Sequence, residues 1–285
     1  MEIDFFKLQS CGCDYLIINT LKTLLPPQED LSELAAQILS RRFGVGAMAM
    51  ILILPGKGGR LMVRCFMADG EESAPSPLAL RCAGRLVFDS GLAEGEDFRL
   101  ETINGPQPIQ MLDSRNMILT LGPPQDWEGD RVSSSSLPSA FLRTVRVEQK
   151  TVNVTTVTVG EPHAVTFLPD FSAEAGEYCR SLAAELDCGA DTCLDLARII
   201  SGEQLSVRTW DLAGQEKLAS ETSACAALAA AALNGLAERE AVVHLGGGNL
   251  LVQWQAEDNR FQVTGPADYV FTGSFYYDEE KNPLD

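Results

Sequence analysis

The sequence predicts an α+β fold made of two similar halves. Runs of alternating apolar residues, typical of strands, outnumber helical periodicity along the 285 residues. In each half, strands are followed by one long helix and then by more strands, which indicates an internal duplication. The chain is long enough for two domains that each have a core, and we expect the boundary near residues 113–118.

The first half alternates strand and helix signals with glycine and proline turns. Residues 48–54 and 61–67 are apolar runs joined by Pro-Gly-Lys-Gly-Gly, which is typical of a hairpin. Residues 30–42 carry apolar side chains on one helical face, and residues 77–90 form the long helix. The other strands predicted here are residues 5–7, 15–19, 98–103, 109–112 and 116–121.

The second half begins with valines that alternate with polar residues over 145–159, which predicts one half-buried strand. Residues 173–186 and 225–240 are predicted helices, and the second of them is rich in alanine. Three glycines separate strands predicted at 241–245 and 249–254. Strands at 261–263 and 269–271 flank a Thr-Gly-Pro-Ala turn.

The composition excludes several classes of partner. A net charge of −18 and a pI near 4.5 argue against nucleic acid and anionic membrane surfaces. No apolar run has the length of a membrane span. The N-terminus lacks the basic residues of a secretion signal, and the eight cysteines follow no disulfide pattern. We therefore expect a cytoplasmic protein with reduced thiols, and the two histidines offer little for a metal.

Six motifs follow one another along nearly the whole chain. They begin at Phe5, Phe43, Phe66, Thr158, Gly246 and Thr264 and read FFKLQSCGCDY, FGVGA, FMADG, TVGEPHAV, GGGNL and TGPA. Together they resemble the motifs of the diaminopimelate epimerase family, which are bacterial, PLP-independent isomerases of lysine biosynthesis.

The resemblance implies two pseudo-symmetric domains, each with a mainly antiparallel sheet wrapped around one central helix, and a cleft between them. It also implies that the last strand returns to the first domain. The first domain would then cover residues 1–116, completed by residues 272–285, and the second would cover residues 117–271. No cofactor is implied.

The family inverts an α-carbon with two cysteines, of which one removes a proton and the other delivers one. Both cysteine positions fall on serine here, at Ser76 and Ser220. The resemblance also gives His163 and Glu216 as retained groups that poise the family's thiols. A serine hydroxyl is a poor base unless a neighbour takes its proton. The resemblance therefore implies these four residues as catalytic positions, with serine in place of both thiols.

The family's substrate-binding positions have mostly lost their polar groups. Glu221 would place a negative charge where a ligand carboxylate binds at a helix N-terminus. A charged substrate left without partners in a buried site is strongly disfavoured. The implied binding positions are Cys13, Ala49, Met67, Glu161, Cys193, Leu212, Glu221 and Thr222.

Both serines also fit a purely structural role. Ser76 followed by Pro77 is a preferred start of a helix, and Ser220 followed by an acidic residue is equally ordinary capping chemistry. We expect helix capping at both sites, with Cys82 and Cys225 packed inside the two helices.

Three functions stay open on the sequence alone. The first is a non-catalytic homologue, a pseudoenzyme, that binds an unknown small ligand or a partner in or near the inter-domain cleft. The second is an active isomerase with a changed substrate, which uses His163 and Glu216, with Cys13 or Cys193 as further proton-transfer groups. The third is an interaction protein whose cleft has closed. A homodimer is compatible with all three.

Overall fold

The computed structural model describes residues 1–127, 142–147, 150–172, 174–186 and 188–278, and it has the predicted α+β fold. The chain divides into a first unit, Met1–Leu119 with Pro266–Asp285, and a second unit, Thr120–Gly265. These bounds lie a few residues from the predicted 116 and 272. Residues 279–285 of the predicted return segment lie outside the described residues.

In the first unit, strands precede and follow each helix along the chain. Its elements are β1 (Glu2–Ser10), β2 (Cys13–Asn19), α1 (Leu31–Leu39), β3 (Ala49–Pro55), β4 (Leu61–Met67), β5 (Glu72–Ser73), α2 (Pro77–Asp89), β6 (Asp97–Thr102), β7 (Gly105–Met111) and β8 (Asn116–Leu121).

The second unit repeats this order. Its elements are β9 (Leu142–Val147), β10 (Lys150–Val159), β11 (Glu161–Phe167), α3 (Ala175–Glu185), β12 (Cys193–Ser201), β13 (Gln204–Trp210), β14 (Glu216–Lys217), α4 (Glu221–Leu233), β15 (Glu240–Leu245), β16 (Gly248–Trp254) and β17 (Phe261–Pro266). The last strand, β18 (Asp268–Tyr276), pairs antiparallel with β1 in the first unit.

The strands of the two units pair in the same pattern. In the first unit β1–β2, β3–β4, β4–β5, β6–β7 and β7–β8 are antiparallel, and β2–β3 and β4–β6 are parallel. In the second unit β10–β11, β12–β13, β13–β14, β15–β16 and β16–β17 are antiparallel, and β11–β12 and β13–β15 are parallel. This repetition supports the predicted internal duplication.

The common pattern makes individual residues of the two units equivalent. Tyr15 pairs with Ala49 across β2 and β3, as His163 pairs with Cys193 across β11 and β12. The equivalent residues used below are Cys13 and Glu161, Tyr15 and His163, Ala49 and Cys193, Ser73 and Lys217, and Ser76 and Ser220.

The long helix of each unit is a buried central element. α4 contacts β10, β11, β12, β13, β15 and β16, and its alanine-rich sequence suits a helix that is apolar on all sides. α2 contacts β1, β2 and β3, and Gly84 lets it approach Ile109, since an added Cβ would lie 2.8 Å from the Ile109 side chain. α1 and α3 instead pack on the sheets with one apolar face each.

Two expectations about the second half are corrected, and three of its strands were missed. Residues 145–159 form parts of two paired strands, with Val147 opposite Lys150; residues 148–149 lie outside the described residues, and they include no glycine or proline to signal a turn. α4 begins at Glu221, because Ser220 caps it, and ends before Gly235, which has a φ of 67°. Strands β11, β12 and β13 were not predicted.

No helix within the described ranges is long and apolar enough to span a membrane.

The close turn after α1 gives a test of the packing. Gly44 lies so near the helix that a Cβ would meet main-chain oxygen, at 2.7 Å from that of Ile38. We expect Gly44→Ala to lower the free energy of unfolding by about 3 kcal/mol in urea titrations. The new methyl group would overlap main-chain atoms of α1, which cannot move without distorting the helix. Gly122→Ala is the matched control, since nothing lies within 4 Å of its Cβ position. Equal stabilities of the two variants would contradict the packing described.

Candidate functional site

The two central helices begin with the same hydrogen bond. Ser76 Oγ accepts from the backbone N–H of Ala79 at 3.2 Å, and Ser220 Oγ accepts from that of Ser223 at 3.1 Å. Both serines are therefore N-caps, as predicted, and Cys82 and Cys225 are buried within the helices. At both positions a serine hydroxyl therefore satisfies the start of a helix.

Ser76 has a second hydrogen-bond partner, which cannot act as a base. The Tyr15 hydroxyl lies 3.1 Å from Ser76 Oγ. Burial raises the pKa of Tyr15 well above its usual range, so the phenol stays protonated. Within the described part of the chain, Ser76 thus contacts a neutral phenol and a backbone N–H, neither of which can take its proton.

Ser220 has a different neighbourhood. Its Oγ lies 3.0 Å from Thr222 Oγ1, and Thr222 donates to Glu161 Oε1 at 2.7 Å. Because the Thr222 proton goes to the carboxylate, the Ser220 hydroxyl donates to Thr222. The start of α4 is therefore linked through two hydroxyls to a carboxylate on β11.

Lys217 lies beside this carboxylate and beside a thiol. Its Nζ donates to Cys193 Sγ at 3.0 Å and lies 4.0 Å from Glu161 Oε2. Burial raises the pKa of the Cys193 thiol to about 12. Burial also opposes the charge on Lys217, but the contacts with Cys193 and Glu161 outweigh it and raise the lysine pKa. At neutral pH the pair is accordingly a protonated thiol and an ammonium group.

A fully buried carboxylate orients His163. His163 Nδ1 lies 2.8 Å from Asp195 Oδ2, and Thr209 Oγ1 donates to Asp195 Oδ1 at 2.7 Å. We assign the proton to Nδ1, since the carboxylate accepts it. The buried Nε2 of His163 has no hydrogen-bond partner among the described residues.

These groups occupy one face of the sheet formed by β11, β12, β13 and β14, on the side of α4. The strand register opposes His163 to Cys193 and Asp195 to Thr209, which in turn opposes Lys217. Side chains alternate between faces along a strand. We call this set the polar face, and it comprises Glu161, His163, Cys193, Asp195, Thr209 and Lys217.

Glu216 lies on the other face of the same strands. It is opposite Trp210, which packs in the cluster around α3. Its carboxylate accepts two hydrogen bonds from Arg208, at 2.7 and 2.8 Å, and the Arg208 guanidinium lies over the Trp210 ring. The structure therefore does not bring Glu216 and His163 together.

The first unit repeats the arginine pair but not the polar face. Arg64 binds Glu72 with two hydrogen bonds of 2.8 and 2.7 Å and lies over Phe66, and the arginine lowers the pKa of Glu72. The positions equivalent to Glu161, His163, Cys193 and Lys217 are occupied by Cys13, Tyr15, Ala49 and Ser73. None of these residues is a lysine, an arginine, a histidine, an aspartate or a glutamate.

The other implied binding positions are mostly apolar or occupied. Ala49 and Cys13 are buried, and Met67 is partly exposed. Leu212 packs against the cluster around α3. Glu221 is buried in the first turn of α4. In the described ranges no group of three or more histidine, cysteine, aspartate or glutamate side chains could hold a metal ion.

The sequence did not single out Lys217, Asp195, Thr209 or Tyr15. A usable signal was present in the spacing of the strands. Cys193 and Asp195 are two residues apart at the start of an alternating run, so that both side chains fall on one face. Lys217 precedes the capping Ser220 by three residues, as Ser73 precedes Ser76. The sequence analysis did not predict the strand pairings that bring these residues to one face.

Comparison with known proteins identifies the family of this chain. The family model described as Diaminopimelate epimerase matches residues 155–270. The diaminopimelate epimerase of Moorella thermoacetica is 32% identical over 280 residues, covering 96% of this chain and 99% of the relative. The chain belongs to the diaminopimelate epimerase family. That of Desulforapulum autotrophicum is 31% identical, with the same coverage.

A solved structure supports the fold of this family member independently. The phenazine biosynthesis protein of the PhzF family from Bacillus anthracis matches with a TM-score of 0.70 at 13% identity, covering 97% of this chain and 100% of that one. At such low identity the likeness concerns the fold alone, and it agrees with a two-domain α+β architecture.

The buried thiols give a testable consequence. Seven of the eight free cysteines are buried and Cys188 is half-buried. Burial raises the pKa of Cys65 to about 11 and that of Cys179 to about 12. We expect one fast thiol per folded chain in a titration with Ellman's reagent at pH 7.5, because only thiolates attack it rapidly. Cys188→Ser should remove that phase, and fast labelling of Cys193 would contradict the described burial.

Proposed function

We propose that this chain is a diverged member of the family that binds a small ligand at the polar face and does not invert α-carbons by two-base chemistry. The observation that carries the proposal is the surrounding of Ser76. At the position that the resemblance gives to one family cysteine, the hydroxyl forms hydrogen bonds only with a protonated phenol and a backbone N–H in the described part of the chain.

Inversion requires a base on one side of the α-carbon and an acid on the other, each with a pKa suited to neutral pH. Among the described residues, Ser76 has no hydrogen-bond partner that could take its proton. Ser220 gives its proton towards Thr222 and Glu161 while it caps α4. The retained Glu216 is bound to Arg208 on the opposite face of the sheet. These contacts support loss of the family reaction.

Binding is supported by the groups that persist. The polar face keeps a carboxylate, an ammonium group and a buried imidazole nitrogen with unused hydrogen-bonding capacity. Buried polar groups are costly unless they are paired. A ligand that pairs them explains why this face keeps charged side chains while Cys13, Tyr15, Ala49 and Ser73 occupy the equivalent positions of the first unit.

A second candidate function is a cofactor-independent isomerase with a changed substrate. It is favoured by the His163–Asp195 pair, which resembles the arrangement that orients a histidine base. The second proton-transfer group would be Cys193, because Glu216 faces away. Burial raises the pKa of Cys193 to about 12, which makes its thiolate scarce and ranks this function second.

Proton exchange at the α-carbon separates the two candidates. Incubation in D2O with meso- or L,L-diaminopimelate should incorporate no deuterium above the protein-free rate, measured by mass spectrometry. The Moorella thermoacetica relative serves as the positive control. A panel of other amino acids and hydroxy acids should give the same negative result. Catalysed deuterium incorporation into diaminopimelate would contradict the proposal.

The Ser76→Cys, Ser220→Cys double variant is the matched control for this experiment. Restored thiols alone should not restore exchange, because the binding positions at Ala49, Met67 and Leu212 remain apolar. Exchange by the double variant would show that the binding positions still accept the family substrate.

A further inference from the structure

We infer that the second unit contains a further binding site, for a small carboxylic acid with an apolar body, in a cavity between β10 and α3. The cavity has no lining residue in common with the polar face, so this inference goes beyond the proposed function and does not rest on it.

The cavity lies where β10 and β11 separate. The two strands pair from Thr155, opposite Val165, to the turn at Gly160. Over residues 150–154, β10 pairs with β9 alone within the described part of the chain. Consecutive residues of β10 and the end of β11 line the cavity, so it lies beside an open strand edge. Its volume is about 650 Å³, and sites for small molecules typically have roughly 300–1,000 Å³.

The first unit has an apolar side chain in this region. Its equivalents of Val152 and Val154 are Ile3 and Phe5, and Leu25 packs against the cluster that contains both. Leu25 lies in the connection of β2 to α1, which comprises residues 20–30. The connection of β11 to α3 comprises only residues 168–174. The shorter connection leaves the room that the second unit shows as a cavity.

Three hydrogen-bond donors of β10 line the cavity without an acceptor among the described residues. Thr155 is only 1% exposed, and its Oγ1 accepts from Asn234 Nδ2 at 3.0 Å, so the hydroxyl proton is unused. Asn153 accepts from Thr144 through Oδ1, which leaves its amide N–H groups unused. Lys150 supplies an ammonium group. Carboxylates accept strong hydrogen bonds from such donors.

The local charge also favours an anion. The chain carries a net charge of −18, but the described residues of β9 and β10 include two arginines and one lysine and no acidic residue. Asp170 is the acidic residue of the lining, and it accepts a hydrogen bond from Arg198 at 3.2 Å. A ligand ammonium group would therefore meet no unpaired carboxylate among the described lining residues, whereas a ligand carboxylate would meet Lys150.

The remaining lining suits a hydrocarbon body. Val147 and Ala175 are buried in the cluster around α3 and form part of the wall. Leu142 and Leu236 also line the cavity, although they are 42% and 43% exposed. A ligand with an apolar body would remove this apolar surface from water, which favours binding. A small carboxylate without such a body, such as acetate, would leave it exposed.

Isothermal titration calorimetry on the full chain tests the class of ligand. The probes are octanoate and 4-phenylbutanoate, the alcohol and the amine of each carbon skeleton, and acetate. We expect at least one of the two larger carboxylates to bind about tenfold or more tightly than its alcohol, its amine and acetate. The alcohol and the amine lack the negative charge, and acetate lacks the apolar body.

Substitutions of Lys150 test the place of binding. Lys150→Met should weaken carboxylate binding about tenfold or more, because it removes the charged donor and keeps a side chain of similar length. Lys150→Arg keeps the charge and should stay within about threefold of the unchanged chain. Lys57→Met is the matched control, since Lys57 is an exposed lysine of the first unit, and it should leave the affinity unchanged.

Three outcomes would overturn the inference. Equal affinity for a carboxylate and its alcohol would show that the cavity does not select an anion. Equal affinity of Lys150→Met and the unchanged chain would place the binding elsewhere. Failure of both larger carboxylates to bind would show that the cavity is not a site for this class of ligand.

Discussion

The pairing of β11 with β12 is the constraint on which the site depends. It opposes His163 to Cys193, and the next strands then bring Asp195, Thr209 and Lys217 to the same face. A slip of β12 by one residue against β11 would turn Cys193 and Asp195 away from the face that carries His163. The identical pairing in the first unit places neutral residues at the equivalent positions. One backbone pattern therefore supports two chemically different faces.

The two serines at the starts of the central helices serve the fold directly. Ser76 and Ser220 satisfy backbone N–H groups at the starts of two buried helices. The Arg64–Glu72 and Arg208–Glu216 pairs are alike in geometry. The units have thus remained similar where they support structure and have diverged on the faces that belong to the site.

The sequence predicted those features that neighbouring residues determine, such as strand bounds and helix caps. The strand at residues 61–67 has its predicted bounds, because its apolar run lies between two segments that contain glycine. The two N-caps followed from serine chemistry alone. The polar face was not predictable in this way, because Lys217 and Asp195 meet through strand pairings between distant segments. His163 and Glu216 were grouped by resemblance, and only the alternation of side chains separated them.

The claim that the two serines serve as caps is tested most directly by their effect on stability. The free energies of unfolding of Ser76→Ala and Ser220→Ala should each fall by about 1 kcal/mol in urea titrations, because each variant leaves a helix N–H without its partner. Unchanged stability in both variants, together with loss of a measurable isomerase activity, would contradict this account and assign the two hydroxyls to catalysis.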